Sequence, residues 1–200
     1  MVGVKSIRYY FWTISDWAYL GHRRLVEIAN RHGATIDYRP VDLPAIYAKT
    51  GGILLGQRAQ QRQDYRFAEL RRWKVRLNDP INIEPKFSPV AHELSSRLLI
   101  AAKLGGFPVS EFTFDVMKAA WVEERDISDP NTLREIAARH VPEVEQLFDS
   151  AASSEVLAEY QRYTDDAPQD GVFGSPFYIF KGEPFWGQDR LDFLDEALAR

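Results

Sequence analysis

The chain has 200 residues, 45% of them hydrophobic and 13% aromatic, so it can bury a large core; this excludes a disordered chain and a mini-protein that depends on disulfides. The net charge of −4 comes from intermixed acidic and basic residues, so neither a nucleic-acid partner nor a membrane surface is expected. The absence of cysteine excludes disulfides and cysteine nucleophiles. Together with a start that does not resemble a secretion signal, it predicts a cytoplasmic protein.

The first forty residues alternate between strand and helix patterns. Residues 7–12 are aromatic and β-branched with almost no polar alternation, which is typical of a strand covered on both faces. Apolar residues at helical spacing follow from Trp17, and the pattern ends at Gly33 after a cation, as helices commonly do. A second strand is predicted over residues 35–41, ended by two prolines, Pro40 and Pro44. Residues 4–43 therefore form a predicted β-α-β unit.

From Pro44 to about residue 150 the periodicity is helical. Four helices in succession are predicted there. The first covers about residues 57–78, the second carries Leu94 to Ala102, and the third begins at residues 108–110. The fourth begins with Asp129 as N-cap and Pro130 at the first helical position. This segment is interpreted as an all-helical block inside the chain.

The strand pattern returns near the end of the chain. Residues 176–180 and 184–186 flank a turn at Gly182 and predict a β-hairpin, and a last helix is predicted from about Asp189. The nearest thing to a linker is the segment 164–174, which is rich in Asp, Pro and Gly.

The order of these elements predicts an α/β fold of thioredoxin-like type, β-α-β followed by β-β-α, with an inserted all-helical domain. The thioredoxin-like domain is predicted to be discontinuous and to comprise residues 1–43 and 151–200. The inserted helical domain is predicted to comprise residues 44–150.

Ser15 is the first candidate for chemistry, because it lies between a buried strand and a helix. The first backbone N–H groups of a helix favour a negative charge there. One interpretation is a serine that caps the helix, and the other is a hydroxyl that stabilises a bound anion. Redox enzymes of this fold carry a Cys-x-x-Cys motif at this place, whereas this chain has Ser-Asp-Trp-Ala at residues 15–18. A thiol would therefore have to come from a ligand.

Two further candidates lie near the end of the chain. Pro176 precedes the third strand, and in a thioredoxin-like fold the Ser175–Pro176 bond at this place is predicted to be cis and to border the active site. Gln188 and Asp189 open the last helix, so Asp189 is either a helix cap or a carboxylate that binds an α-amino group. The four histidines show no ligand spacing, and no metal site is predicted.

The local motifs resemble those of a known family. In element order and in motifs, essentially all 200 residues are similar to the DsbA-like group that contains 2-hydroxychromene-2-carboxylate isomerases and kappa-class glutathione transferases. The most specific stretches are Gly-Val-Phe-Gly-Ser-Pro at residues 171–176 and Phe-Trp-Gly-Gln-Asp-Arg-Leu at 185–191. Residues 10–20 are similar to the family's first strand and its Ser-Pro-Tyr-Ser-Tyr-Leu turn.

The resemblance implies roles for the same residues. Ser15 falls on the family's glutathione-contacting catalytic serine, Ser175 and Pro176 fall on its cis-proline pair, and Gln188 and Asp189 fall on its γ-glutamyl site.

Several positions depart from the family's pattern, among them residues 87–90, which read Phe-Ser-Pro-Val where Phe-Pro-x-Asn is expected. Asp16 replaces a proline, Trp12 stands where an acid is common, Ser175 replaces a valine, and Gly52 stands where an asparagine helps to line the site. A carboxylate at Asp16 would raise the pKa of a neighbouring thiol unless its side chain turns away.

The function implied by the resemblance is a glutathione-dependent isomerase of an unsaturated aromatic carboxylate, of the 2-hydroxychromene-2-carboxylate isomerase type, in aromatic catabolism. Glutathione would be the cofactor, a small aromatic carboxylate the substrate, and a homodimer the expected assembly. Two alternatives stay open at this point: a kappa-like glutathione transferase that releases a conjugate, and a binding module without catalytic activity on a thioredoxin-like scaffold.

Overall fold

The computed structural model describes residues 5–200, and a four-stranded mixed sheet lies at its centre. The order across the sheet is β2-β1-β3-β4, where β1 is parallel to β2 and antiparallel to β3, and β4 pairs antiparallel with β3. The strands are β1 Ser6–Phe11, β2 Thr35–Pro40, β3 Phe177–Phe180 and β4 Glu183–Trp186.

Helices surround this sheet and fill the long segment between β2 and β3. They are α1 Asp16–Arg31, α2 Leu43–Thr50, α3 Gln60–Leu77, α4 Glu93–Leu104, α5 Ser110–Trp121, α6 Pro130–Ala137, α7 Val144–Ala151, α8 Ser154–Gln169 and α9 Leu191–Ala199, with short 3-10 turns at Leu55–Gln57 and Gln188–Arg190. No helix within residues 5–200 has the length and apolar character that crossing a membrane requires.

The predicted α/β thioredoxin-like fold, with its β-α-β start and β-β-α end, is confirmed. The expectation of four helices between residues 44 and 150 is wrong, because α2 and α7 also form there. The predicted linker at 164–174 is also wrong in its first half, since α8 continues to Gln169. Burial of Thr164 and Ala167 against neighbouring elements holds this last helical turn in place.

The two faces of β1 are covered differently. Tyr9 stacks on Phe11 and on Tyr178 of β3, with ring centroids 4.6 and 5.3 Å apart, on the face that carries α1. On the other face, Tyr10 donates a hydrogen bond of 2.5 Å to Asp170, which follows α8. Both faces of β1 are therefore buried, as its unbroken aromatic sequence predicts.

The helical segment packs directly on the thioredoxin-like elements. Helix α5 lies against α1, while α4 lies against β2 and α8. The domain limits at residues 43, 44, 150 and 151 stay a prediction. What the contacts do establish is that α4 lies against β2 and that α3 reaches the start of α1 through Arg66, which binds Asp16.

Candidate active site

Ser15 occupies the N-cap of α1, with an extended backbone (φ −81°, ψ 119°). Its hydroxyl oxygen accepts the amide N–H of Ala18 at 3.2 Å and lies 3.4 Å from the carbonyl oxygen of Ser175, towards which its proton points. The capping interpretation of Ser15 is thus confirmed. The hydroxyl nevertheless stands at the positive end of a 16-residue helix, where an anion is stabilised.

The Ser175–Pro176 bond is cis, as predicted from the fold. Pairing of β1 with β3 begins at Phe177, so the backbone of Ser175 lies just outside the sheet. The Ser175 hydroxyl accepts the amide N–H of Trp12 at 2.9 Å, which joins the end of β1 to the segment before β3. Ser15, Ser175 and Pro176 therefore lie together, although they are about 160 residues apart in sequence.

The turn that carries Gln188 and Asp189 is joined to this place through Gly187, whose amide donates to the carbonyl oxygen of Pro176 at 3.0 Å. Gln188 is buried, and both its backbone and its side-chain carbonyl oxygens accept hydrogen bonds from Arg24 of α1, at 3.1 and 2.8 Å. A β-carbon at position 21 of α1 would lie 2.8 Å from Cβ of Gln188, so glycine there allows the close approach.

Asp189 caps no helix, which overturns the capping interpretation. The N-cap residue of the 3-10 turn is Gly187 and that of α9 is Arg190, and neither end has a side-chain capping bond. The Asp189 carboxylate is half-exposed and accepts a hydrogen bond of 2.9 Å from Arg190. An exposed carboxylate held by one surface partner can exchange that partner for a ligand cation.

Asp16 directly follows Ser15, and its side chain is almost completely buried. One carboxylate oxygen accepts the amide of Trp17 at 2.8 Å and the other accepts from Arg66 of α3. Burial raises the pKa of Asp16, while the Arg66 guanidinium opposes that rise. The charge that the sequence places beside the site is thus turned towards Arg66 and compensated by it, a pairing across 50 residues that no local pattern shows.

Tyr47 occupies the space next to Gly52. A β-carbon at position 52 would lie 2.0 Å from Cδ1 of Tyr47, so the tyrosine ring stands where a side chain at this position would begin. Burial raises the pKa of Tyr47, the neighbouring Arg58 lowers it, and the carboxylate of Asp16 raises it further. The phenol of Tyr47 therefore belongs to the same cluster as Asp16, a contribution that the sequence did not reveal.

Two exposed aromatic side chains lie near the cis Ser175–Pro176 bond. Phe173 and Trp186 are 43% and 52% exposed, and their rings meet edge to face with centroids 4.8 Å apart. The indole covers Gly174, where a β-carbon would lie 2.2 Å from Nε1 of Trp186. Large apolar rings left exposed beside a polar site are typical of ligand contacts.

A family model described as the DSBA-like thioredoxin domain matches residues 6–199. The chain belongs to the DSBA-like thioredoxin family. Within it, 2-hydroxychromene-2-carboxylate isomerase of Sphingobium xenophagum is 30% identical over 97% of this chain and 98% of its own length. Glutathione S-transferase kappa 2 of Caenorhabditis elegans is 23% identical over 98% of this chain and 92% of its own length.

A solved structure of 2-hydroxychromene-2-carboxylate isomerase superimposes with a TM-score of 0.80 at 24% identity, over 98% of this chain and 95% of that one. The chain thus belongs to the part of the family that contains these isomerases and kappa-class transferases, and its relatives support an enzyme of isomerase or glutathione-transferase type.

Proposed function

We propose that the protein is a cytoplasmic, homodimeric, glutathione-dependent isomerase of a small unsaturated aromatic carboxylate, of the 2-hydroxychromene-2-carboxylate isomerase type, active in aromatic catabolism. One observation carries the proposal: the Ser15 hydroxyl stands at the N-terminus of α1, 3.4 Å from the carbonyl oxygen that precedes a cis proline, in a chain without cysteine. These features support a site that stabilises the thiolate of a ligand, since the chain itself has no thiol.

Bound glutathione would supply a thiolate that adds to a carbon–carbon double bond of the substrate and leaves again after rotation about the resulting single bond. The Ser15 hydroxyl is proposed to lower the pKa of that thiol and so keep it ionised. A thiol of pKa ~8.5 is roughly 3% ionised at pH 7, and lowering its pKa by two units requires ~2.7 kcal/mol. A hydrogen bond to a charge contributes ~1.5–3 kcal/mol and a helix N-terminus ~0.3–1, so the range that Ser15 and α1 supply together includes this requirement.

Arg66 forms an ion pair with Asp16 beside the proposed thiolate site. An uncompensated carboxylate at Asp16 would raise the pKa of a thiol beside Ser15, and the ion pair with Arg66 opposes that effect. Arg66 is therefore proposed as a positioning residue, since it acts through Asp16.

Asp189 is proposed to bind the α-ammonium group of the γ-glutamyl end, for which its half-exposed carboxylate is accessible. Gln188 is proposed to position it. Both carbonyl oxygens of Gln188 are bonded to Arg24, which fixes the turn against α1.

A kappa-like glutathione transferase is the second candidate, favoured by the similarity to the kappa-class protein of Caenorhabditis elegans. The two reactions differ in the fate of the adduct, so product analysis with an unsaturated aromatic carboxylate separates them. An isomerase returns free glutathione and an isomerised acid, whereas a transferase releases a conjugate. A protein that binds glutathione and forms neither product would be a binding module.

Glutathione binding is tested first by thermal unfolding. At 100 times its dissociation constant the ligand is expected to stabilise the fold by ~2.7 kcal/mol. An unchanged unfolding temperature at millimolar glutathione would contradict the proposed cofactor.

A further inference from the structure

Two tyrosines of neighbouring strands reach the same turn of α1. Tyr9 of β1 and Tyr178 of β3 are paired directly in the sheet, and their rings stack with centroids 5.3 Å apart and an angle of 21° between their planes. The Tyr9 ring lies 6.1 Å from the imidazole of His22 in α1. The Tyr178 hydroxyl lies against Gly21, where a β-carbon would be 2.8 Å away. Tyr9, Tyr178 and His22 are here named the buried trio.

The polar atoms of the buried trio have no partner among the protein groups. Tyr9 and Tyr178 are fully buried, and His22 is 1% exposed. Within the part of the chain that the structure describes, the two phenol hydroxyls and Nδ1 of His22 make no hydrogen bond. Folded proteins pair nearly all buried polar atoms, either with protein groups or with ordered water. Three unpaired atoms against one turn of a helix therefore point to a bound group that completes them.

The protonation of the trio determines what this group must offer. Nε2 of His22 lies 3.0 Å from the carbonyl oxygen of Ser110, which can only accept, so Nε2 carries the proton and Nδ1 is an acceptor. Burial lowers the pKa of His22 to about 4, so the ring is neutral at pH 7. Burial raises the pKa of both tyrosines, which therefore keep their protons and can donate. The bound group must accept two hydrogen bonds and donate one.

A water molecule meets this demand, because its oxygen accepts from both phenols while one of its protons goes to Nδ1 of His22. Three hydrogen bonds are typical of a buried water. Two hydrogen bonds that share one water oxygen span up to about 5.5 Å, which agrees with the 5.3 Å between the two ring centroids. An ion does not fit, because the trio carries no charge that would compensate it in the interior. We propose that the buried trio binds one internal water molecule beneath α1.

The water would join three elements that hold the candidate active site. Helix α1 begins directly after Ser15, β1 ends shortly before that residue, and β3 follows the cis bond at Pro176. The inference does not rest on the proposed function, since it depends only on groups in the interior. Its test is therefore made without glutathione.

A crystal structure of the unmodified protein tests the site directly. At high resolution, one isolated density peak is expected within about 3.2 Å of both phenol oxygens and of Nδ1 of His22. The peak should be lost in the double variant with Tyr9→Phe and Tyr178→Phe, because a water there would keep only one of its three partners.

Thermal unfolding distinguishes a hydroxyl that binds water from one that is buried without any partner. Removing an unpaired hydroxyl leaves the unfolding temperature unchanged or raises it, whereas removing a paired one lowers it. Tyr9→Phe and Tyr178→Phe are each expected to lower the unfolding temperature by about 2–4 °C. Tyr65→Phe on α3 removes a hydroxyl from a tyrosine that is 61% exposed and serves as the control, with the unfolding temperature unchanged.

Three results would overturn the proposal. The first is no density peak between the three atoms at a resolution that shows other interior waters, and the second is a direct hydrogen bond between two members of the trio. The third is an unfolding temperature that is unchanged or raised in both single variants. If one single variant does not fold, the other one decides.

Discussion

The Ser15 hydroxyl accepts the amide of Ala18 at 3.2 Å while its proton faces the carbonyl oxygen of Ser175 at the longer distance of 3.4 Å. The helix cap uses a lone pair of the oxygen, whereas an interaction with a thiolate would use its proton. The two roles therefore do not compete. A ligand sulfur can take the proton from its long contact with Ser175 while the cap stays intact.

Replacing Ser15 by alanine is expected to lower turnover with glutathione roughly 10- to 150-fold at neutral pH, because a hydrogen bond to a charge contributes ~1.5–3 kcal/mol. Loss of the cap also costs ~0.5–2 kcal/mol of stability. Higher pH should restore part of the activity by ionising the thiol directly. Steady-state kinetics against pH, with thermal unfolding in parallel, measures both effects.

The matched control is Ser153→Ala, because Ser153 caps α8 through the amide of Val156 at 3.3 Å. It should cost similar stability and leave turnover unchanged. If both variants lose the same activity, Ser15 is a helix cap alone.

Asp189→Asn is expected to raise the dissociation constant of glutathione by about 1–3 kcal/mol, or roughly 5- to 150-fold, by removing the charge opposite the ligand ammonium. Because Asp189 caps no helix, the unfolding temperature should hardly change. The pKa of the bound thiol should stay the same. Titration calorimetry and thiolate absorbance against pH check these points, with Glu196→Gln on the exposed face of α9 as the control. Equal affinities of Asp189→Asn and the unmodified protein would remove Asp189 from the site.

Asp16 and Asp37 should give opposite pH dependences of stability. Burial raises the pKa of Asp16 from 3.8, and Arg66 opposes that rise. The contribution of Asp16 to the free energy of unfolding is therefore largest below pH 3.8 and is lost as the pH rises through the raised pKa. Burial also acts to raise the pKa of Asp37, but Lys103 and Arg39 lower it overall. The contribution of Asp37 to the free energy of unfolding is therefore fully present above pH 3.8 and is lost as the pH falls below that value.

Urea unfolding from pH 3 to 7 measures this difference. Relative to the unmodified protein, Asp16→Asn should gain stability as the pH rises above about 3.8, whereas Asp37→Asn should lose least at the acid end. A stability difference between Asp16→Asn and the unmodified protein that does not vary with pH would show that the burial of Asp16 is compensated completely.

Gly52→Asn, which introduces the residue that the family resemblance implies at this position, is expected to destabilise the fold by ~1–3 kcal/mol, because its β-carbon would overlap the ring of Tyr47. The double change with Tyr47→Ala should cost less than the sum of the two single changes. Gly56→Asn is the control, since no atom lies within 4 Å of a β-carbon there. Additive costs in urea unfolding would show that the Tyr47 ring moves away freely.

The strands were predictable because their signals are local. The aromatic sequence of β1 and the glycine turn between β3 and β4 contain the whole pattern within a few residues. Helix α2 has a local signal too, since Asp42 caps it and Pro44 occupies its first turn, but a proline there equally fits the end of the preceding strand. The last turn of α8 contains Pro168 and is held by tertiary packing, which a local pattern does not show.

The site was predictable only where a single segment carries it. Ser15 and the cis bond at Pro176 follow from their positions beside strands. The partner of Asp16 lies 50 residues away on α3, and the contact of Trp12 with His92 joins the residue after β1 to the residue before α4. Such pairs depend on how the helices pack on the sheet, and nothing in either segment alone indicates the other.

Gly21 links the two ends of the proposed site. It lies in the same helix that Ser15 begins, and a β-carbon there would lie 2.8 Å from both Cβ of Gln188 and the hydroxyl of Tyr178. The turn that carries Asp189 can rest on α1 only because this side chain is missing. The distance between the Ser15 hydroxyl and the Asp189 carboxylate is therefore set by backbone contact rather than by flexible side chains. The proposed site would then select a peptide ligand by its length as well as by its charges.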